Sequence, residues 1–233
     1  MNGYYGIDIT YIILVLPAII LCSIAQASVK STFSKYSKIG SRRGITGRDI
    51  AAMILQGNGI SNVKVASVSG SLTDHYDPKT QTIRLSDPVY NSTSIAALGV
   101  AAHEACHACQ HAQQYTPLLM RNAVVSVCNI GSQLSMPMIL MGLVFNFQFL
   151  VNLGIIMFGF LTVFQIITLP VEFNASKRAV SFLESQYILD ADELKGTKKV
   201  LSAAAMTYVG SMIVSLMQLV RLVILFGGRR RDD

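Results

Sequence analysis

Four apolar runs divide the chain, and each is long enough to cross a bilayer. The first covers about residues 9–29, ITYIILVLPAIILCSIAQASV, and basic residues follow it at once at Lys30, Lys35, Lys38, Arg42, Arg43 and Arg48. Thr46 then precedes the amphipathic stretch GRDIAAMILQ with Asp49 three positions on, close to a capping box, and Gly57-Asn58-Gly59 stops that helix. Two stretches of strand character follow, VKVASVS over 63–69 and QTIRLS over 81–86. Turn signals at Gly70 and Asp77-Pro78 separate them, which predicts a short β-hairpin. Ser94 opens a strong helix, IAALGVAAHEACHACQHAQQ, which Pro117 ends or follows.

The second apolar run covers about 124–145 and the third about 149–171, with Asn146 and Gln148 between them marking a tight membrane hairpin. A polar segment from Glu172 to about Val200 predicts a helix start at Asp190 and Glu193. The last run, about 203–227, contains Arg221 and leads to Arg229, Arg230 and Arg231. Arg221 must snorkel or face the protein.

Composition agrees with a membrane chain: 52% of residues are apolar, mean hydropathy is +0.47 and only 14% are charged, against about 25% in soluble domains. The net charge of +6 does not indicate nucleic acid, because no basic patch is interleaved with stacking aromatics. Basic residues beside lipid-length runs fit anionic headgroups instead. The first run has no basic region ahead of it and no A-x-A site after it, so it reads as a retained anchor. The four cysteines, Cys22, Cys106, Cys109 and Cys128, form no disulfide framework, which favours a reducing compartment. Ten of the 19 Lys and Arg lie between residues 27 and 123 and five between 171 and 200. Three crossings put both segments on one side, which the positive-inside rule makes the cytoplasm. A fourth crossing would put Arg229, Arg230 and Arg231 on the other side, so either the last run does not fully span or the larger bias wins.

The chemistry concentrates in His103-Glu104-Ala105-Cys106-His107. Positions i and i+4 share one helical face, so two imidazoles can chelate one ion. Zinc suits imidazole and keeps an open position for water, and Glu104 is placed to take a proton from that water and pass it to a leaving amine. Only four histidines occur in the chain, and three of them lie between 103 and 111. His111 is nevertheless excluded from the same ion, since eight residues of helix carry it about 12 Å from His103. Cys106 is turned away from the metal direction.

The third ligand must therefore come from elsewhere. Glu172 follows the third apolar run directly, and a two-helix membrane hairpin returns the chain to the face from which the H-E-x-x-H helix departs. A Glu172 carboxylate about 3–4 Å from both histidine nitrogens is the separation that a shared zinc requires. The competing reading makes Glu172 an interfacial carboxylate that caps the following helix. His75 and Tyr76, in the hairpin before the active helix, are candidates to contact substrate or a tetrahedral oxyanion, whereas Asp77-Pro78 is also plain turn chemistry. Arg178 stands where it could meet a substrate carboxylate or a lipid phosphate, or simply solvent.

These residues carry a family resemblance. H-E-x-x-H followed by a distal E-F-x-A resembles membrane gluzincins such as HtpX and the CAAX prenyl proteases. There the glutamate is the third zinc ligand, and an aspartate four residues later supports a zinc histidine; Ser176 occupies that place here. SLTDHYDPKTQTIRLSDPVY, VAAHEACHACQH, LPVEFNASKRA and KKVLSAAAMTYV resemble the YugP-type neutral zinc metallopeptidases over nearly the whole chain. Cys106 and Cys109 depart from the small or aliphatic residues usual in that family.

The fold expected is a mainly α membrane protein. About four transmembrane or membrane-associated helices accompany a small zincin-like α+β catalytic domain with a short β-hairpin. The segments expected are an N-terminal anchor (1–29), a catalytic domain (30–123), a transmembrane hairpin (124–171), a third-ligand segment and helix (172–202) and a C-terminal membrane helix with basic tail (203–233). The function expected is zinc metalloendopeptidase of the cell membrane, multi-pass, with its site on the cytoplasmic side. It would hold one Zn2+ per chain on His103, His107 and Glu172, use Glu104 as base, and act on a membrane-associated protein or peptide. The alternatives are a non-catalytic, zinc-stabilised protein that binds a membrane partner, and a zinc-handling protein using Cys109 and His111. No nucleic acid partner is expected, and the oligomeric state is left open.

Overall fold

The structure is a computed structural model, and it describes residues 8–227; the Arg229–Arg231 tail and the first seven residues of the expected anchor lie outside the described residues. Four helices are long and apolar enough to cross a membrane, over Tyr11–Tyr36, Thr116–Val144, Gln148–Ser185 and Ala191–Phe226. The chain divides into two compact units. One gathers Met120–Leu169 with the chain up to Ala25 and from Thr207 on; the other joins Gln26–Leu119 to Pro170–Met206.

The first unit holds the apolar stretches. A π-helical segment, Tyr11–Val15, leads into α1 (Leu16–Tyr36), and Pro17, lacking an N–H, sits where the ladder is irregular. α5 (Thr116–Val144) turns through Asn146, which adopts a left-handed φ of 50°, into α6 (Gln148–Ser185). α7 (Ala191–Phe226) closes the set. Ile139, Val151, Ile155 and Leu222 are packed inside. Large side chains such as Ile13, Ile24, Val127, Ile130, Phe160 and Val163 point outward, the distribution expected of helices whose solvent is hydrocarbon. Arg221 faces the protein: its guanidinium pairs with Asp8 and lies 5.4 Å from the Tyr11 ring centroid.

The second unit holds the polar chemistry. Its core gathers Ile50, Ile54, Ile83, Leu85, Ile95, Leu98, Leu183 and Ile188. α2 (Gly47–Gly57) begins with a complete capping box, in which the Thr46 hydroxyl accepts from the Asp49 N–H and the Asp49 carboxylate accepts from the Thr46 N–H. Three strands follow, β1 (Lys64–Val68), β2 (His75–Asp77) and β3 (Thr82–Ser86), then a short α3 (Asp87–Tyr90). α4 (Ile95–Ala112) starts where Ser94 Oγ accepts from the Ala97 N–H at 3.2 Å. α4 and α7 pack closely at Gly99, where an added Cβ would stand 2.6 Å from Thr197 Cγ2.

The sheet differs from the expected hairpin between 63–69 and 81–86. Those two stretches pair in parallel, and the sheet order is β1-β3-β2. The chain crosses between them through left-handed residues Gly70 (φ 110°) and Leu72 (φ 59°). The Asp74 carboxylate then accepts from the Ser86 N–H and hydroxyl at 2.7 and 2.8 Å, which starts a strand beside the end of β3. That strand, His75–Asp77, forms the antiparallel hairpin with β3. Three residues are too few to show an alternation, so β2 was hidden among turn signals.

Candidate metal centre

α4 presents His103, His107 and Gln110 at i, i+4 and i+7, one face of the helix. α6 runs unbroken past Pro170 and carries Glu172 within the helix, so this carboxylate does not cap a following one. The structure brings three ligand atoms together: His103 Nε2 lies 3.1 Å from His107 Nε2, and Glu172 Oε2 lies 3.3 Å from the first and 3.5 Å from the second. Ligands about 2.0–2.1 Å from a tetrahedral zinc stand roughly 3.3–3.4 Å apart, so the set fits such an ion. The second unit thus contains two imidazoles and a carboxylate able to hold a metal, His107 and Glu172 buried and His103 half-buried.

The hydrogen bonds behind the cluster set the tautomer of His107 and are compatible with the same tautomer of His103. Gln110, fully buried, donates its Nε2–H groups to the Val171 carbonyl at 2.9 Å and to Asn174 Oδ1 at 3.0 Å. Its Oε1 therefore faces His107 Nδ1, 3.0 Å away, and accepts the Nδ1 proton. Ser176 Oγ lies 3.1 Å from His103 Nδ1 and accepts from it in the tautomer that leaves Nε2 unprotonated. In those tautomers both Nε2 lone pairs face the Glu172 carboxylate, a set able to hold a cation. Burial alone would lower the His107 pKa, yet hydrogen bonding to Glu172 and the charges of Glu104 and Glu172 raise it.

Ser176 thus contacts a histidine of the cluster through an uncharged hydroxyl. Ser176→Ala is expected to weaken metal binding by about 10–100-fold, and Ser176→Asp to bind at least as tightly as wild type. Competition with a chromophoric chelator measures both, and an unchanged affinity in the alanine variant would remove Ser176 from the site.

Glu104 is half-buried on the same helix, next to His103. Its charge is felt at His107, but it has no hydrogen-bond partner among the described residues. His111 is not part of the cluster; its Nδ1 lies 2.9 Å from the Tyr76 hydroxyl, which ties β2 to α4. Burial, then the nearby Asp77 charge, raise the Tyr76 pKa. His75 is exposed, with Nδ1 donating to the Thr73 carbonyl at 2.8 Å. Arg178 donates to Gln113 Oε1 and lies 5.7 Å from the Tyr115 ring centroid. Cys106 and Cys109 are buried free thiols. Burial pushes both pKa values up, Cys109 to about 11, which disfavours thiolate chemistry. Gln110 and Asn174 were not among the sequence candidates. The available signal was a lone carboxamide on the histidine face of a helix otherwise rich in alanine and cysteine.

Residues 11–227 match the family described as "Putative neutral zinc metallopeptidase". A relative from Bacillus subtilis, described as "Putative membrane protease YugP", is 45% identical over 223 residues, covering 96% of this chain and 99% of the relative. No solved structure matches the chain.

Proposed function

The chain belongs to the family of neutral zinc metallopeptidases, and from that premise we propose that it is a zinc endopeptidase of membrane or membrane-proximal proteins, working at the cytoplasmic face. The convergence of His103 Nε2, His107 Nε2 and Glu172 Oε2 within 3.1–3.5 Å of one another carries the reading. In it these three side chains hold one ion. Zinc in that place supplies Lewis acidity, acidifying a water and polarising a scissile carbonyl.

The chain's own residues do the rest. Glu104, half-buried and without a hydrogen-bond partner among the described residues, takes the proton of the attacking water and returns it to the leaving nitrogen. Gln110 and Ser176 keep both imidazoles in the tautomer that offers Nε2. β2 lies at an edge of the sheet, where an extended substrate can add as a further strand. On that strand His75 is exposed and serves as a substrate contact, while the Tyr76 phenol is held by His111. The 15 Lys and Arg that flank the apolar runs on one side support the cytoplasmic side.

The test uses the full-length protein in detergent, mixed with an unfolded membrane protein. Cleavage products are expected by mass spectrometry, are lost on chelation and return with one equivalent of zinc. No metal-dependent product from the loaded protein would overturn the reading.

A further inference from the structure

A cavity of about 280 Å³ opens between α6 and α7 in the second unit. α6 contributes a stripe at helical spacing that includes Phe173, Lys177 and Ser181; α7 contributes Lys198, Leu201 and Ala205. The stripe is graded along the helices. On α6 the apolar run ends at Val171, so Phe173 is nearest to it and Lys177 lies one turn farther on. On α7 the next apolar run begins near 203, so Ala205 lies within it and Lys198 about two turns before. One end of the cavity is therefore apolar, lined by the residues of α6 and α7 nearest in sequence to the lipid-length runs, and the other is cationic.

The charge at the cationic end is not balanced. Lys177 has no carboxylate partner among the described residues. Lys198 meets only Glu184, at 3.8 Å, with both side chains about half exposed, an ion pair that contributes little. Two ammonium groups thus share a cleft that also presents the hydroxyls of Ser181 and Ser202, and its lining includes Ser176, whose hydroxyl contacts His103. Phe173, 47% exposed, stands at the apolar end. The cleft is too small for a helix, and its grading matches a molecule with an anionic head and a hydrocarbon tail.

We propose that this groove binds the phosphate headgroup of an anionic phospholipid. The phosphate lies between Lys177 and Lys198 and accepts from the serine hydroxyls, and an acyl chain follows Phe173 and Ala205 toward the bilayer. The inference does not depend on proteolysis, because the readout is lipid retention.

The full-length protein, in mixed micelles holding equal phosphatidylglycerol and phosphatidylcholine, is examined by native mass spectrometry. Wild type is expected to retain phosphatidylglycerol about tenfold over phosphatidylcholine, and Lys177→Gln/Lys198→Gln to fall close to parity with unchanged metal content. Ser202→Phe, which fills the cleft and keeps both charges, is expected to lose the lipid as well. Equal retention by these variants overturns the proposal. Displacement of the lipid by millimolar inorganic phosphate overturns it in favour of a soluble phosphate site. Displacement by excess unfolded peptide overturns it in favour of a substrate subsite.

Discussion

Glu104→Gln is expected to bind zinc with wild-type stoichiometry and to hydrolyse peptide between about 10² and 10⁴-fold more slowly. The substitution keeps the size and polarity of the side chain and removes only its ability to accept a proton. No hydrogen bond among the described residues is broken, since none is made to Glu104, so folding is expected to be unchanged. The cluster able to hold a metal comprises His103, His107 and Glu172 without it. Loss should therefore appear in kcat, with KM nearly constant, because a general base acts in the transition state and not in binding. A thousandfold loss corresponds to about 4 kcal/mol of transition-state stabilisation. Cleavage at the wild-type rate by the glutamine variant would remove Glu104 as the base. A loss of zinc would instead make it a ligand.

Glu172→Ala is expected to reduce zinc affinity by more than 100-fold, beyond the 10–100-fold typical of a residue that only supports a ligand. The carboxylate is 2% exposed and lies against both imidazoles. Its removal leaves two neutral donors, too few for a closed set of three protein ligands and one open position. Glu172→Asp tests reach: shortening by one methylene withdraws the oxygen by more than the tolerance of a zinc–oxygen bond, so it should resemble the alanine variant. His111→Ala is the contrast, expected to leave zinc content unchanged because its ring is bonded to Tyr76 instead. Zinc per chain after dialysis against a chelator distinguishes them. Unchanged zinc in Glu172→Ala would require another third ligand.

Legibility differed between parts of the molecule for physical reasons. The four long helices were visible because lipid imposes length and apolarity on a spanning segment, and both can be read residue by residue. Thr46 with Asp49, and Ser94, announced helix starts because a cap is a local interaction. The sheet was less visible. The residue types of β1 and β3 mark strands but not strand direction, so a parallel pair is indistinguishable from a hairpin in the sequence. His103 and His107 are paired by the helical repeat alone. Glu172 could be nominated because the apolar runs show where the chain returns. Gln110 could not, because its partners are a main-chain carbonyl at Val171 and Asn174 on another helix. Ser176 stands out in the sequence only as a departure from a pattern; its contact with His103 joins two helices across a separation of 73 residues.

The order of synthesis gives one feature of the cluster a further meaning. His103 and His107 leave the ribosome early, but Glu172 follows both apolar runs of the α5–α6 hairpin. Until that hairpin has been made and inserted, the chain can offer an ion only a two-histidine half-site. With the three ligands proposed above, completion of the centre would wait on completion of the α5–α6 hairpin, and a chain lacking Glu172 in place would carry the H-E-x-x-H sequence without the third ligand.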